Sequence, residues 1–348
     1  MYDYFHTGNE SSFSHFESVI FSLLKRQQPP PPDRVPCGED GVKHVEAMAK
    51  LFDRVANPRE LPLTITENFF EWRGSVQLDA LAQSLMNKKV SNRNRLIGLL
   101  PLGPFPASID TNYLTSLISN WMSCFFMGFR VHCLPQISVK QFPQMITRYH
   151  FKTKKFQILS TSLIRLAEQY VSQREPKYQC LIVVSWHDLY PEEKMNFELG
   201  QGSSLYRCAV MSFGRFEPSS FKTNQPDVKQ LTPKIIWQFL KVSAHEVCHV
   251  FGMKHCNTFH CLMNGSVSIQ QAMKQPLLLC PICLRKLKHF TKANLEHWLV
   301  GIRIFLLEIL KTYPEFDRVA DCIVWINQML ELCDEIEKSA ATKTTQHS

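Results

Sequence analysis

The segment from His245 to His255 constrains this chain more than any other, because it reads His-Glu-x-x-His-x-x-Gly-x-x-His. His245 and His249 are four residues apart, so on a helix both side chains leave the same face. Gly252 accepts the left-handed conformation that ends a helix, which lets the chain turn back towards a metal ion. His255 then completes three nitrogen ligands for Zn²⁺ and leaves the fourth position open for water, as in a catalytic zinc site. Glu246 lies beside the first ligand, where it can take a proton from the zinc-bound water.

Four cysteines follow at a spacing typical of a second zinc site. Cys256 and Cys261 form one pair, Cys280 and Cys283 form another, and a spacer separates the two pairs. This pattern predicts a structural zinc closed by four thiolates, with buried or disulfide-linked cysteines as the alternative. The segment after Cys261 predicts a turn that brings Met263 beneath the catalytic metal.

Together these residues resemble the archaemetzincin family of zinc peptidases. The resemblance is strong over residues 245–283, and weaker matching such as 188–191 extends it. Ser266 and residues 285–287 also fit, whereas Met273 stands where many members have an acidic residue, a departure that affects local packing and no ligand. The resemblance implies an α+β fold: a metzincin-like catalytic domain with a mixed twisted sheet, an active-site helix and a Met-turn at Met263. It also implies two Zn²⁺ per chain, one catalytic and one structural.

The sequence predicts four regions. Residues 1–90 read as an N-terminal extension with a proline-rich segment at 29–32, and residues 91–290 as the catalytic domain with both zinc sites. Apolar residues at helical spacing predict a C-terminal helical cover over residues 291–338. The polar residues 339–348 predict a disordered tail.

Local patterns predict the elements around the zinc motif. Asp110 is expected to cap a helix that stops at Gly128, and Thr232 with Pro233 to begin the zinc helix that Gly252 ends. Apolar runs and periodicity predict further strands at 96–100, 130–139, 180–185 and 205–213, and further helices at 42–55, 78–86, 160–172, 292–311 and 316–336. Strand 205–213 is our candidate for pairing with an extended substrate.

Composition bears on location and partners. Twelve cysteines, at least four of them at metal spacing, suit a reducing compartment, and the N-terminus lacks the basic and apolar regions of a secretory signal. We expect a cytoplasmic protein, with the nucleus as an alternative, that is not secreted, has no membrane partner and is a monomer. The basic concentrations 148–155 and 285–292 predict solvated faces, with an anionic partner as the alternative. The sequence does not favour nucleic acid, because no aromatic-interleaved basic stripe accompanies the cysteines.

The motif favours a zinc metallopeptidase that hydrolyses peptide bonds in peptide or protein substrates, with a zinc-bound water activated by Glu246. The alternative is a zinc-stabilised protein-interaction module with little or no turnover. Glu246 argues for the enzyme, because a purely structural site needs no such carboxylate. Tyr190 and Tyr206 are possible donors to the oxyanion, but the sequence places neither.

Overall fold

A computed structural model describes residues 95–151, 153–216, 231–256 and 260–345. The predicted extension 1–90 and the helices predicted at 42–55 and 78–86 lie outside these residues. The described chain divides into two compact units. We call Leu81–Lys254 with Ser266–Met273 the sheet unit, and the unit that contains His255–Gly265 and Lys274–Ser348 the knuckle unit.

The described elements alternate strands and helices and then become helical. The strands are β1 Leu96–Gly103, β2 Arg130–Cys133, β3 Ile137–Ser138, β4 Thr147–His150, β5 Lys155–Leu159, β6 Cys180–Ser185, β7 Asp188–Tyr190, β8 Gly200–Ser203 and β9 Cys208–Ser212. The helices are α1 Thr111–Phe125, α2 Ser160–Ser172, α3 Pro233–Val250, α4 Ile269–Lys274, α5 Pro281–Thr291, α6 Leu295–Thr312 and α7 Asp317–Thr345. Two short 3₁₀ turns, Val139–Gln141 and Gly214–Phe216, complete the description.

The main sheet of the sheet unit is mixed. Its order is β2-β1-β6-β9-β8, with β3 also paired to β1, and only the β8–β9 pair is antiparallel. The central strand β6 is buried at every position, as expected for a strand in the middle of a parallel sheet. A second, three-stranded sheet has the order β4-β5-β7.

Helix α3 is buried almost all the way round. The side chain of Thr232 caps its first turn by accepting a hydrogen bond from the N–H of Ile235. The ring N–H of Trp121 on α1 donates to the carbonyl of Leu240 at 2.8 Å, which ties the two helices together. Even Lys241 is 1% exposed, with its ammonium donating to the carbonyls of Ala272 and Met273 at 2.9 and 3.1 Å. The helix is therefore buried on more sides than the single apolar face of an amphipathic helix.

The C-terminal helices of the knuckle unit pack against each other. Asn294 caps α6 through its side-chain oxygen, and Arg303 on α6 donates to Asn327 on α7 at 3.1 Å. Helix α7 continues to Thr345, through most of the segment predicted to be a disordered tail. Within the described part of the chain, none of the helices combines the length and hydropathy that a membrane crossing requires.

The structure contains several predicted elements with their bounds, among them helix 160–172 and strand 180–185. The strand predicted at 205–213 was too long, because Leu205 lies in a turn where it is 79% exposed and Arg207 has a positive φ. The prediction that this strand offers a pairing edge was wrong. Strand β9 lies between β6 and β8, so both of its edges are used, and β8 is the last of the described strands in this sheet.

Candidate metal centres

Two groups of metal-ligating side chains occur among the described residues. One ring nitrogen from each of His245, His249 and His255 lies within 4.8 Å of the other two, so the three can hold a metal ion. The Sγ atoms of the four predicted cysteines lie within 4.8 Å of one another as well; these are Cys256, Cys261, Cys280 and Cys283.

His245 and His249 face each other across one turn of α3. Their Nε2 atoms are 3.0 Å apart, and the two rings meet at 80°. The Nδ1 atom of His249 lies 2.7 Å from the carbonyl oxygen of Met253, close enough to donate a hydrogen bond to it. A proton on Nδ1 leaves Nε2 as a lone-pair donor, so the Met253 carbonyl fixes the tautomer that metal ligation requires. Gly252, with φ of 85°, lets the chain turn back at the end of this helix.

The Glu246 side chain is enclosed by strand β8. A β-carbon built on Gly200 would lie 2.7 Å from Cγ of Glu246, and one built on Gly202 would lie 2.2 Å from its backbone oxygen. Only glycine at these two positions allows the strand to lie this close to α3. The N–H of Gly202 donates a hydrogen bond to the Glu246 carboxyl group. The two glycines therefore let β8 approach the helix closely enough to orient the carboxyl group.

A second acid accompanies Glu246. Glu198 precedes β8, and by strand alternation its side chain leaves on the same face as Gly200 and Gly202. Burial raises the pKa of Glu246 to about 8, and the nearby Glu198 adds to the rise while the Gly202 N–H opposes it. Burial also raises the pKa of Glu198 to about 7, although a hydrogen bond with Ser160 lowers this pKa in part. Sequence reasoning missed Glu198, since an isolated acid outside any motif gives no signal of its surroundings.

The cysteine group is held by backbone donors. Cys261 Sγ accepts hydrogen bonds from the N–H groups of Met263 and Cys280 at 3.4 and 3.3 Å, and Cys280 Sγ accepts one from Cys283. The Sγ atoms of Cys256 and Cys280 are 3.8 Å apart. Burial raises the pKa of the Cys280 thiol well above its usual range, and the neighbouring thiols add to the rise. A cation at the centre would reverse this shift by stabilising thiolates.

Asn264 organises the loop between the cysteines. Its side chain donates to the carbonyl of Cys256 at 2.6 Å and accepts from the N–H of Cys261 at 2.8 Å. The N–H of Cys256 donates to the carbonyl of Met263 at 2.7 Å, and Met263 is fully buried. Asn264 was not among the predicted site residues, although an asparagine before a glycine is a common turn signal.

The two tyrosines considered as oxyanion donors have contacts of other kinds. The Tyr190 hydroxyl donates to Glu193 at 3.4 Å, and the Arg148 guanidinium lies 3.9 Å from the centre of its ring. Tyr206 packs, partly buried, against the apolar core of the sheet unit. The oxyanion donor is therefore not assigned to either.

Comparison with known proteins finds a matching peptidase family. The model of peptidase family M54 matches residues 134–289, which include both groups of candidate ligands. Over these residues the chain is similar to that family, and similar proteins are named archaemetzincins.

Relatives and solved structures carry the family name. Archaemetzincin-1 of Homo sapiens is 27% identical over 254 residues, 66% of this chain and 50% of the relative. Archaemetzincin-2 of Homo sapiens is 28% identical over 196 residues, 49% of this chain and 52% of the relative. The chain therefore spans about half the length of these relatives. The structure of archaemetzincin from Methanopyrus kandleri is 20% identical, with a TM-score of 0.42, and the match covers 59% of this chain and 99% of that one.

Proposed function

We propose that this chain is a zinc-dependent metallopeptidase that hydrolyses peptide bonds in peptides or proteins. His245, His249 and His255 would hold the catalytic zinc, and Glu246 would be the general base. The observation that supports this best is that three imidazole nitrogens lie close together. Two of them, from His245 and His249, are on the helix that also carries the buried carboxyl group of Glu246. The family supports the same activity, at the level of a class of enzymes.

The histidine donor set fits zinc. Zinc–nitrogen bonds of about 2.0–2.1 Å in a tetrahedral arrangement separate the nitrogens by roughly 3.3 Å. The separation of 3.0 Å between the Nε2 atoms of His245 and His249 is close to this value. Three neutral nitrogens leave a coordination position for another ligand, and they leave most of the charge of the ion uncompensated. Bound zinc would supply a Lewis acid that polarises the peptide carbonyl and makes water a better nucleophile at neutral pH.

Glu246 would move the proton. Its carboxylate would accept a proton from the attacking water and return it to the leaving amine, so one group acts as base and then as acid. A general base works best when its pKa lies near the working pH, and burial moves the pKa of Glu246 in that direction. The N–H of Gly202 would keep the carboxyl group oriented during both transfers.

We assign substrate pairing to strand β8 in place of the strand predicted at 205–213. Strand β8 ends the described sheet and runs antiparallel to β9, so its outer edge can accept one further strand, except at the Gly202 N–H, which bonds Glu246. An extended peptide on that edge would run along the strand that lies against Glu246. Backbone pairing would fix the peptide direction with little demand on side-chain identity.

The cysteine group would hold a structural zinc, which gives two Zn²⁺ per chain. Zinc–sulfur bonds of about 2.3 Å in a tetrahedron separate the sulfurs by roughly 3.8 Å, which matches Cys256 and Cys280. Met263, between the second cysteine and Asn264, would form the Met-turn of a metzincin-like domain.

The test is a comparison of wild type with Glu246→Gln on a broad peptide library. Glutamine keeps the shape of the side chain but cannot accept the proton, so turnover should fall by about 10²–10⁴-fold. Zinc content should stay at two ions, because the proposed ligands are unchanged. His249→Ala is the matched control, which should lose turnover together with one zinc.

Two results contradict the proposal. If Glu246→Gln cleaves as fast as wild type, the general-base assignment is wrong. If wild type binds both zinc ions and cleaves nothing in the library, the interaction-module alternative replaces the enzyme.

A further inference from the structure

The hairpin formed by β4 and β5 exposes large apolar side chains. Ile146 is 52% exposed, Tyr149 52%, Phe151 78% and Phe156 68%. Tyr149 and Phe156 are direct cross-strand partners, with ring centres 5.4 Å apart, and Phe151 lies in the turn that follows β4. We call Tyr149, Phe151 and Phe156 the hairpin patch; Ile146 is three residues before Tyr149, so by strand alternation it leaves the opposite face. Single exposed apolar residues are ordinary on a protein surface, but rings that contact each other at a hairpin mark a candidate interaction site.

The hairpin patch lies in a basic segment of the sequence. Residues 146–156 contain Arg148, Lys152, Lys154 and Lys155 and no acidic residue. The Lys154 side chain is exposed and Lys155 is partly exposed, and the Lys154 ammonium lies 4.2 Å from the centre of the Phe151 ring. Such a patch is complementary to a partner that is anionic on its surface and apolar beneath it.

Arg148 does not contribute to this surface but holds the hairpin in place. Its side chain, 19% exposed, donates to Gln157 and to the carbonyl of Glu193, both at 2.8 Å. At the base of the hairpin, the N–H of Ile146 donates to the hydroxyl of Ser162 on α2 at 3.1 Å. The patch is therefore presented from a hairpin that is bonded to the rest of the sheet unit.

The ring geometry distinguishes between two kinds of anionic partner. Single-stranded nucleic acid is bound by open aromatic faces on which bases stack. Here Tyr149 and Phe156 meet at 66°, edge to face, and Lys154 covers one face of Phe151. A phenylalanine ring beside a lysine ammonium group instead suits the boundary between headgroups and acyl chains, where the ring enters and the ammonium group stays at the phosphates.

We propose that the hairpin patch is a peripheral docking site for an anionic lipid bilayer, with Phe151 and Phe156 entering the headgroup region. An anionic partner for residues 148–155 is the alternative that the sequence analysis left open, and the bilayer contact replaces the expectation of no membrane partner. The contact is independent of the peptidase activity proposed above and spans no membrane.

The test is co-sedimentation of the full chain with vesicles of phosphatidylcholine alone, or with about 30% phosphatidylserine, at low and high salt. We expect binding to the anionic vesicles only, and release by salt. Phe151→Ser/Phe156→Ser should weaken binding at least tenfold, because the loss of buried ring area removes the apolar contribution. Lys154→Gln/Lys155→Gln should weaken it about 30-fold, which corresponds to ~1 kcal/mol per lysine.

Leu205→Ser is the matched control, since Leu205 is 79% exposed in the turn between β8 and β9 and lies outside the patch. It should bind like wild type. The lysine variant tests the proposal even if the double serine variant fails to fold. The proposal is overturned if wild type ignores anionic vesicles at low salt, or if Leu205→Ser weakens binding as much as the patch variants. It is also overturned if a single-stranded oligonucleotide binds and the vesicles do not.

Discussion

The replacement of Gly202 by alanine tests how closely β8 lies against the zinc helix. The added β-carbon would lie 2.2 Å from the backbone oxygen of Glu246 and 2.8 Å from the β-carbon of His249. The nearer contact is about 1 Å shorter than a normal carbon–oxygen contact, and a helix backbone cannot rotate away as a side chain can. Overpacking costs about 1–3 kcal/mol, and a clash with helix backbone places this one at the upper end, about 3 kcal/mol. Alanine regains roughly 0.5–1 kcal/mol by restricting the unfolded chain, so the net loss in the free energy of unfolding should be about 2 kcal/mol.

Gly98→Ala provides the matched control in the same sheet. Its added carbon would lie 2.9 Å from Cδ1 of Tyr178, the nearest atom, which belongs to a side chain. The Tyr178 ring can shift, so this variant should unfold within about 1 kcal/mol of wild type. Urea unfolding of both variants, at equal zinc content, measures the difference. If Gly202→Ala is as stable as Gly98→Ala, the close approach of β8 to the helix is not a feature of the folded protein.

Two further predictions concern the metal centres and the second buried acid. Cys280→Ser should lower the thermal midpoint of unfolding more than His255→Ala does. A structural zinc contributes directly to folding, whereas a catalytic zinc binds in a largely preformed cleft. Equal decreases in the midpoint would mean that the two sites are assigned wrongly. Glu198→Gln should gain stability over wild type as the pH rises from about 4.5 through 7, because the unfolded chain ionises there while the folded carboxyl, with its pKa of about 7, stays neutral. The gain should approach about 3 kcal/mol, at 1.36 kcal/mol per pKa unit, in urea titrations at pH 5 and 8. A stability difference that is equal at the two pH values would contradict this.

The elements that the sequence predicted well have local causes. Helix α2 has apolar residues at helical spacing, and β6 is a continuous apolar run, so each pattern is present within the element itself. The caps at Asp110 and Thr232 are also local, since each side chain bonds an N–H within three residues. The ligands of both candidate centres could be identified because metal chemistry restricts residue type and spacing together.

The elements that the sequence did not reveal depend on contacts distant in the chain. Strand β8 contains two glycines, which have low strand propensity, and it forms because β9 and α3 leave room only for a strand without side chains on that face. The β4–β5 hairpin contains many charged and exposed residues, so periodicity does not indicate a buried face. The burial of Lys241 follows from carbonyls that are more than thirty residues away in the chain.

His255 and Cys256 are consecutive residues, yet each belongs to a different group of metal ligands. Consecutive α-carbons are about 3.8 Å apart across one rigid peptide plane, so the backbone position of Cys256 restricts where His255 can lie. Cys256 is fixed on both sides, by the carbonyl of Met263 and the amide of Asn264. We expect the cysteine group to form first and to set the backbone that presents the His255 imidazole. An oxidant that joins two of the four thiols would then disturb the proposed catalytic centre without reacting with its ligands, and peptidase turnover should fall in step with thiol loss during a peroxide titration.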